Sequence, residues 1–411
     1  MKKIVLTKLN RHIAGVAYEQ WENDEKKEKA CDVCLFSEEN PSLVGNIYIG
    51  HVRDVVKNIE ASFVELSPDV LGYLPLKQIQ PVFTGRKNTE KICEGDNLIV
   101  QVVKDANKTK DAMLTTAFSL TGRFAVLTHG KSGIQFSMKI RDENYKKEIG
   151  QKLRVDLQES EPDCNYSLIV RTEAYHAEYQ EILEEIHALQ VQYHKLIELA
   201  MTRQKYYVLR RADHPIAGFV RKALSERKEC EIVTDDSGIY EQLQADALTD
   251  SYPDLSIRFY EDALLPLYKL YSLESLFEEI HARKVWLKSG AYLIIDYTEA
   301  MTVIDVNTGK CESGKSKERT FLKINKEAAL EIARQMRIRN LSGIIIVDFI
   351  DMKEEANVRE LLDFTRQILR RDHVKAAAVD ITRLHLMEIT RQKTSDKIPY
   401  VDGLFEKKKK A

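Results

Sequence analysis

The chain has 411 residues, 44% of them hydrophobic and 31% charged, with a formal net charge of −2. That length supports about two to four domains with ample cores, and no apolar run approaches the roughly 20 residues that span a bilayer. The near-balanced charge rules out capture of a polyanion by a global field, so any nucleic acid would be held by local basic patches.

The N-terminal MKKIVLTKLNRH has a short apolar core broken by Lys8 and Arg11, which is not the pattern of a signal peptide. Six cysteines at 31, 34, 93, 164, 230 and 311 form no disulfide framework, and a reducing cytoplasm is expected. KIVLT, HIAGVAYEQW and ACDVCLF read as two or three strands. Cys31 and Cys34 make a lone CxxC without a second pair, and read as strand cysteines rather than a zinc site. ENPSLVGN (39–46) reads as a linker.

From Asn46 to about Leu120 the pattern is all-β. NIYIGHVRDVV, ASFVEL, LGYLPL and NLIVQVVKD alternate between glycines, as in a small five-stranded oligonucleotide-binding barrel. Such barrels stack bases on exposed aromatics beside basic side chains, which makes Phe63, Tyr73 and Lys110 candidates. Alternation alone instead favours Phe63 as a residue filling the barrel. Residues 123–175 read as further strands ending in YSLIVRTEAY. There Arg171 and Thr172 offer a guanidinium fork beside a hydroxyl, suited to a terminal phosphate, although a surface salt bridge is the commoner fate of such an arginine. His176 to about Leu209 has the stripe of an amphipathic helix, broken at His214-Pro215. Helix and strand signals alternate through 216–260, and YSLESLFEEIHARKVWL (271–287) predicts another helix; its His281 has no ligand-spaced partner.

The most informative stretch runs from Gly290 to Met352. AYLIID (291–296), MTVIDVN (301–307) and GIIIVDFIDM (343–352) read as buried strands. Two of them finish in carboxylates, Asp305 and Asp348. In α/β sheets chemistry sits at the carboxyl ends of strands. Two acids there repel unless one is protonated or a cation lies between them. Hard oxygen ligands of this kind suit Mg²⁺. Asn307, two residues past Asp305, projects to the same side. The competing explanation is that such acids cap a following helix or turn. Asn325 is expected to cap a helix running to Asn340, with Arg334, Arg337 and Arg339 off its apolar face. A helix over about 354–371 follows, AAAVDITRL reads as the last strand, and 393–411 turns polar, its Lys407–Lys410 a solvated tail. Gly309–Ser316, GKCESGKS, also matches the phosphate-loop pattern GxxxxGK followed by Ser or Thr, which keeps a nucleotide hydrolase as an alternative. Against it, the apolar helical period starts only near 326, whereas a phosphate-loop helix begins at the Lys-Ser pair.

IDVNTG (304–309), EAALEIARQMRIRNLSGIIIVDFIDM (327–352) and MEITRQK (387–393) closely resemble the core of the bacterial ribonuclease E/G endoribonucleases. NIYIGHV, EASFVEL, GYLPL, LTTAFSLTGR (114–123) and LIVRTEA (168–174) extend the likeness in the same order over essentially the whole chain. The resemblance implies an α+β multidomain fold. A ribonuclease-H-like subdomain (1–41 and 214–280) would be interrupted by an S1-type barrel of the oligonucleotide-binding fold (42–118) and a 5′-sensor region with the long helix (119–213). A DNase-I-like α/β catalytic subdomain (281–393) and a polar basic tail (394–411) would follow. It further implies internal cleavage of single-stranded RNA with a 3′ hydroxyl and a 5′ phosphate as products. Asp305 and Asp348 match the family's metal-binding aspartates, with Asn307 supporting them. Arg171 and Thr172 match its 5′-monophosphate sensor. Phe63, Tyr73 and Lys110 match its RNA-contacting barrel residues, with Tyr73 where phenylalanine is common.

One departure stands out. Family members usually carry a CPxCxG segment soon after MEITRQ, through which two subunits share zinc, and TSDKIPYVDGLFEKKKKA has no cysteine. Mg²⁺ is therefore the expected cofactor and zinc is not, and homodimerisation without a zinc link stays open. A catalytically weak RNA-binding protein of the same fold is the second alternative.

Overall fold

The computed structural model describes residues 2–20, 28–38, 42–77, 80–85, 91–106, 110–160, 164–212, 215–224, 229–245, 254–262, 264–309, 317–394 and 397–405. The described chain is mixed α+β and falls into two units: Ser42–Pro215, and Met1–Pro41 with Ile216–Ala411. No helix among the described residues is long and apolar enough to cross a membrane.

In the unit Ser42–Pro215, strands Ile47–Val56, Ala61–Ser67, Val70–Pro75, Ala112–Thr115 and Asn97–Lys104 pair in that order. The last strand returns to the first, so the sheet closes into a five-stranded barrel. Val52, Val64, Leu66, Leu74, Leu98, Val100 and Leu114 fill it, and closure leaves no sheet edge to protect. Phe63 is not among them. It is half-buried on the outer side, one position out of phase with Val64, contrary to what alternation alone favours.

A four-stranded sheet follows, in the order Gly133–Phe136, Tyr166–Val170, Ala125–His129 and Ser119–Thr121. The reading of 123–175 as strands missed helix Glu143–Ser160. Its apolar residues are sparse but recur every fourth position, Tyr145, Ile149, Leu153 and Leu157, and that stripe joins the core. The long helix covers Tyr179–Thr202, shorter at both ends than its periodicity predicted. Thr172–His176 form a 3₁₀ turn before it, and Val208–Arg210 pair with the barrel strand Ile47–Val56.

The second unit holds two sheets. In the N-terminal sheet, Lys2–Leu9, His12–Gln20 and Glu28–Ser37 form an antiparallel meander, and Cys230–Thr234 and Leu255–Phe259 add in parallel beyond Lys2–Leu9. Helix Pro215–Ala223, with proline in its first turn where no amide bond is lost, packs with Ser237–Ala245 against one face. Helix Leu273–His281 covers the other, and Ile398, Val401, Leu404 and Phe405 join it there. The stretch from 394 is thus anchored by apolar contacts over 397–405 rather than being uniformly polar; Lys407–Lys410 lie outside the described residues. Both CxxC thiols donate to backbone carbonyls of the adjacent strand, Cys31 to Ala17 and Cys34 to Gly15.

The carboxylate sheet has the order Lys284–Trp286, Tyr292–Tyr297, Met301–Asn307, Gly343–Asp348, Leu386–Arg391, Ala376–Ile381. Two expectations change here. Lys284–Trp286 belong to an edge strand, because the helix predicted over 271–287 ends at His281. Leu386–Arg391, not AAAVDITRL, is the last strand and sits between it and Gly343–Asp348. Helices Lys317–Ile338 and Glu355–Leu369 cover one face, burying Leu293, Ile295, Ile304, Val306, Ile345, Val347 and Ile389. Each such aliphatic side chain stabilises the fold by about 1.5–3 kcal/mol. The other face is uncovered among the described residues, so these strands are buried on one side only; Ile344 is 48% exposed.

Candidate active site

Among the described residues only Met301–Asn307 and Gly343–Asp348 run parallel in the carboxylate sheet, with helix Lys317–Ile338 between them in the chain, and their register sets Asp305 directly opposite Asp348. Ile304 and Val306 enter the core, as do Ile345 and Val347, so both carboxylates stand on the uncovered face. Asn307 shares that face, and its Nδ2 donates to Asp305 Oδ2 at 2.6 Å, restraining the carboxylate. Partial burial, then the charges of Asp305 and Asp351, hold the Asp348 carboxyl above the usual carboxylate range. Two acids so paired favour a cation between them.

Asn325 was expected to begin a helix. It lies instead in the third turn of Lys317–Ile338, fully buried. Its Nδ2 donates to the carbonyl of Ile350 at 2.8 Å and its Oδ1 accepts from the Ile350 amide at 3.0 Å. The loop that carries Asp348 out of its strand is thereby clamped. At the end of the Asp305 strand, Gly309 has φ +59°, and a Cβ there would lie 2.3 Å from the carbonyl oxygen of Gly290. Only glycine fits that approach. The rest of the phosphate-loop match, 310–316, lies outside the described residues. Because the chain is already helical at Lys317, the objection that the helix begins too late for such a loop does not hold.

Of the arginines off the apolar face, Arg334 and Arg339, the latter one residue past the helix end, are buried, and Arg337 is half-buried. Arg334 pairs with Glu331 at 2.9 Å and with Glu279, Arg337 donates to Asp32 at 2.6 Å, and Arg339 donates to the carbonyl of Glu279 at 2.8 Å. The helix is thus held on its second side to strand Glu28–Ser37 and helix Leu273–His281 by ion pairs, where breaking one partner is costly.

Arg171 and Thr172 lie where strand Tyr166–Val170 passes into the 3₁₀ turn. Arg171 is half-buried and its Nη1 donates to the Gly122 carbonyl at 2.5 Å; the Thr172 hydroxyl is 3.3 Å from that of Ser137. The Gly122 loop is fixed by Glu185 of the long helix, whose carboxylate accepts from the amides of Arg123, Phe124 and Ala125 at 2.8, 2.7 and 3.0 Å. Glu185 escaped the sequence reading because nothing local marks a carboxylate that works 60 residues away, and Ser137 because its partner Thr172 is 35 residues on. On the barrel, Phe63 and Tyr73 are cross-strand partners with ring centroids 6.0 Å apart in an edge-on arrangement. Lys110 is exposed, two residues before the strand Ala112–Thr115 that runs parallel to the Tyr73 strand.

Among the described residues no group of three or more His, Cys, Asp or Glu side chains is arranged to hold a metal. The chemistry of the Asp305–Asp348 pair, two hard carboxylates with an amide beside them, would fit an ion that keeps several of its waters, as Mg²⁺ does.

Residues 119–394 match the model of the ribonuclease E/G family. Ribonuclease G of Escherichia coli K12 is 33% identical over 382 residues, covering 90% of this chain and 77% of its own length. Ribonuclease E of a Nostoc species is 30% identical over 86% of this chain and 52% of its own, and that of Haemophilus influenzae 33% identical over 85% and 38%. The family match takes in the whole carboxylate sheet, with Asp305, Asn307 and Asp348 on its open face, as well as Arg171 and Thr172. The chain therefore belongs to the ribonuclease E/G family, and with it to the endoribonucleases, a class of hydrolases.

Proposed function

We propose that the chain is a Mg²⁺-dependent endoribonuclease that cuts single-stranded RNA internally, leaves a 3′ hydroxyl and a 5′ phosphate, and favours 5′-monophosphorylated substrates. The observation that carries this reading is the parallel register that sets Asp305 against Asp348 beside Asn307 on an uncovered sheet face. Asp305 and Asp348 would hold the ion, with hard oxygens on two adjacent strands. When bound, Mg²⁺ supplies Lewis-acid stabilisation of phosphoryl oxygens and lowers the pKa of a water.

The chain's own residues do the rest. Asn307 restrains the Asp305 carboxylate, and Asn325 holds the backbone after Asp348, so the donors need little reorganisation as charge develops on the phosphate. Phe63 and Tyr73 offer base-stacking faces on the outside of the barrel, with Lys110 available for the backbone. Arg171, aimed by the Gly122 carbonyl, and the Thr172 hydroxyl would grip a terminal phosphate. The strand order of the N-terminal sheet, a three-stranded meander extended by two parallel strands, supports the ribonuclease-H-like reading of that part.

The test is an AU-rich fluorescent single-stranded RNA with a 5′ monophosphate or a 5′ hydroxyl, incubated with Mg²⁺ or with EDTA. Internal cleavage that requires Mg²⁺ and runs faster on the monophosphate form is expected. Cleavage in EDTA would overturn the metal assignment, and equal rates would overturn the sensor. Binding without cleavage would make the chain an RNA-binding protein.

A further inference from the structure

On the face that carries the carboxylates lies an aromatic pair that the proposed chemistry does not use. Tyr292 is the cross-strand partner of Asn307, and Trp286 on the edge strand is the partner of Tyr292. In the next row Lys284 partners Ile294, which partners Asp305. Val285 and Leu293 enter the core, so Lys284, Trp286 and Tyr292 stand on the same side as Asp305 and Asn307. The two rings are 5.2 Å apart at 62°, and the Lys284 ammonium sits in the angle between them, 3.9 Å from the indole and 3.7 Å from the phenol. Trp286 is 64% exposed, which leaves the indole face turned away from Lys284 open.

Adjacent strands lie about 4.8 Å apart, so Tyr292 is one strand and Trp286 two strands, about 10 Å, from Asn307. Trp286 also lines a cleft of about 500 Å³ at the sheet edge, where Lys29, Lys288, Lys323 and Lys326 face Glu327 and Glu331. Cations outnumber anions there in a chain whose net charge is −2, with Lys29 paired to Glu331 and Lys326 to Glu360. Carboxylates, an aromatic pair clasping a cation, and a lysine-lined cleft thus follow one another across the sheet and round its edge. That is the sequence of chemistries a single strand meets when its phosphate is cut, its neighbouring base stacks, and its backbone is led away.

We propose that Trp286, supported by Tyr292 and Lys284, is a stacking subsite for a base next to the scissile phosphate, from which the RNA backbone enters the lysine-lined cleft. This rests on the reading of Asp305 and Asp348 as the cleavage site. Because every base has a π face, the subsite holds the strand in place without selecting its sequence.

The probe is a short 5′-monophosphorylated single-stranded RNA carrying 2-aminopurine at each position in turn, bound to the full chain in EDTA. Quenching on binding should mark the base that stacks on the indole. In Trp286→Ala the quenching at that position disappears and binding weakens about tenfold; Trp286→Phe restores most of both. An abasic nucleotide at that position should weaken binding to the parent chain but add nothing to Trp286→Ala, a non-additivity that a merely structural tryptophan would not give. The exposed indole makes unfolding by the substitution unexpected, and a thermal melt checks it. Unchanged quenching and affinity in a folded Trp286→Ala would overturn the subsite. Failure of the carboxylate reading is seen separately, as near-normal cleavage by Asp305→Asn in Mg²⁺, because the binding arm needs no cleavage.

Discussion

The barrel and the carboxylate sheet take the same strand alternation to opposite ends. In the barrel one set of side chains is spent filling a closed interior, and the outward set, Phe63 and Tyr73 among them, is left for contact. In the carboxylate sheet two helices bury one set from outside, and the other set, Asp305, Asn307 and Asp348, stands on a face nothing covers among the described residues. In both regions the candidate function sits on whichever face the core did not need. Changes on those faces should therefore alter RNA chemistry with little loss of stability, and changes one position away should do the reverse.

The largest expected effect is on cleavage. Asp305→Asn or Asp348→Asn should lower the cleavage rate about 10³-fold or more, since each removes a metal ligand and part of the charge stabilisation. RNA affinity should stay near that of the parent, and the melting temperature should not fall, because a like-charge contact is relieved. A lowered melting temperature would place these acids in the core's service instead. Asn325→Ala should differ in stability, losing it together with cleavage. Two hydrogen bonds to Ile350 go and its backbone is left partly unpaired, a loss of about 2–3 kcal/mol in unfolding free energy by denaturant titration, with cleavage falling and binding hardly touched.

pH sharpens the comparison from the core side. His373 lies 3.5 Å from Asp32 and 3.8 Å from Asp372, yet burial, then the nearby Lys222 ammonium, push its pKa down to about 2. It is neutral in the folded chain and takes up a proton on unfolding below about 6.5, so stability is lost as pH falls through that value, by about 2 kcal/mol at pH 5. His373→Gln should flatten the melting temperature between pH 7 and pH 5; an unchanged slope would assign the acid sensitivity elsewhere. Smaller still, Phe63→Ala should weaken single-stranded RNA binding by about 1–2 kcal/mol, read by fluorescence anisotropy, and leave the melting temperature within about a degree or two.

How far the sequence disclosed this arrangement depended on which signal each element carried. Met301–Asn307 was legible to the residue, because Val, Ile and Thr alternate there without competition. The start of helix Lys317–Ile338 was not. Its first turns, KERTFLK, are charged, and Asn325 looks like a cap only because its real partner, Ile350, is 25 residues away. Arg334, Arg337 and Arg339 read simply as residues off an apolar face, yet Arg334 and Arg337 find the acids Glu279 and Asp32, and Arg339 the Glu279 carbonyl, on elements distant in sequence. Trp286 was absorbed into a predicted helix, since three residues of strand carry too little pattern to outweigh the helical run before them. Asp305, Asn307 and Asp348 could be picked out as a set, but that Asp305 faces Asp348 is a fact of register, which spacing alone cannot supply.

Lys2 pairs with Cys230 in the N-terminal sheet. On the ribosome, at about 5–20 residues per second, the meander made from the first strands waits roughly 10–40 seconds for the strand that completes it, while the whole barrel unit is synthesised in between. Throughout that interval Lys2–Leu9 is an open β-edge, the kind of surface that recruits other chains. Its charges, Lys2, Lys3 and Lys8, are the residue type that guards such edges against intermolecular pairing. In the finished fold Lys2 and Lys3 are neutralised by Glu19 and Glu28, so lysines suited to guarding the nascent strand end as ion pairs of the mature sheet.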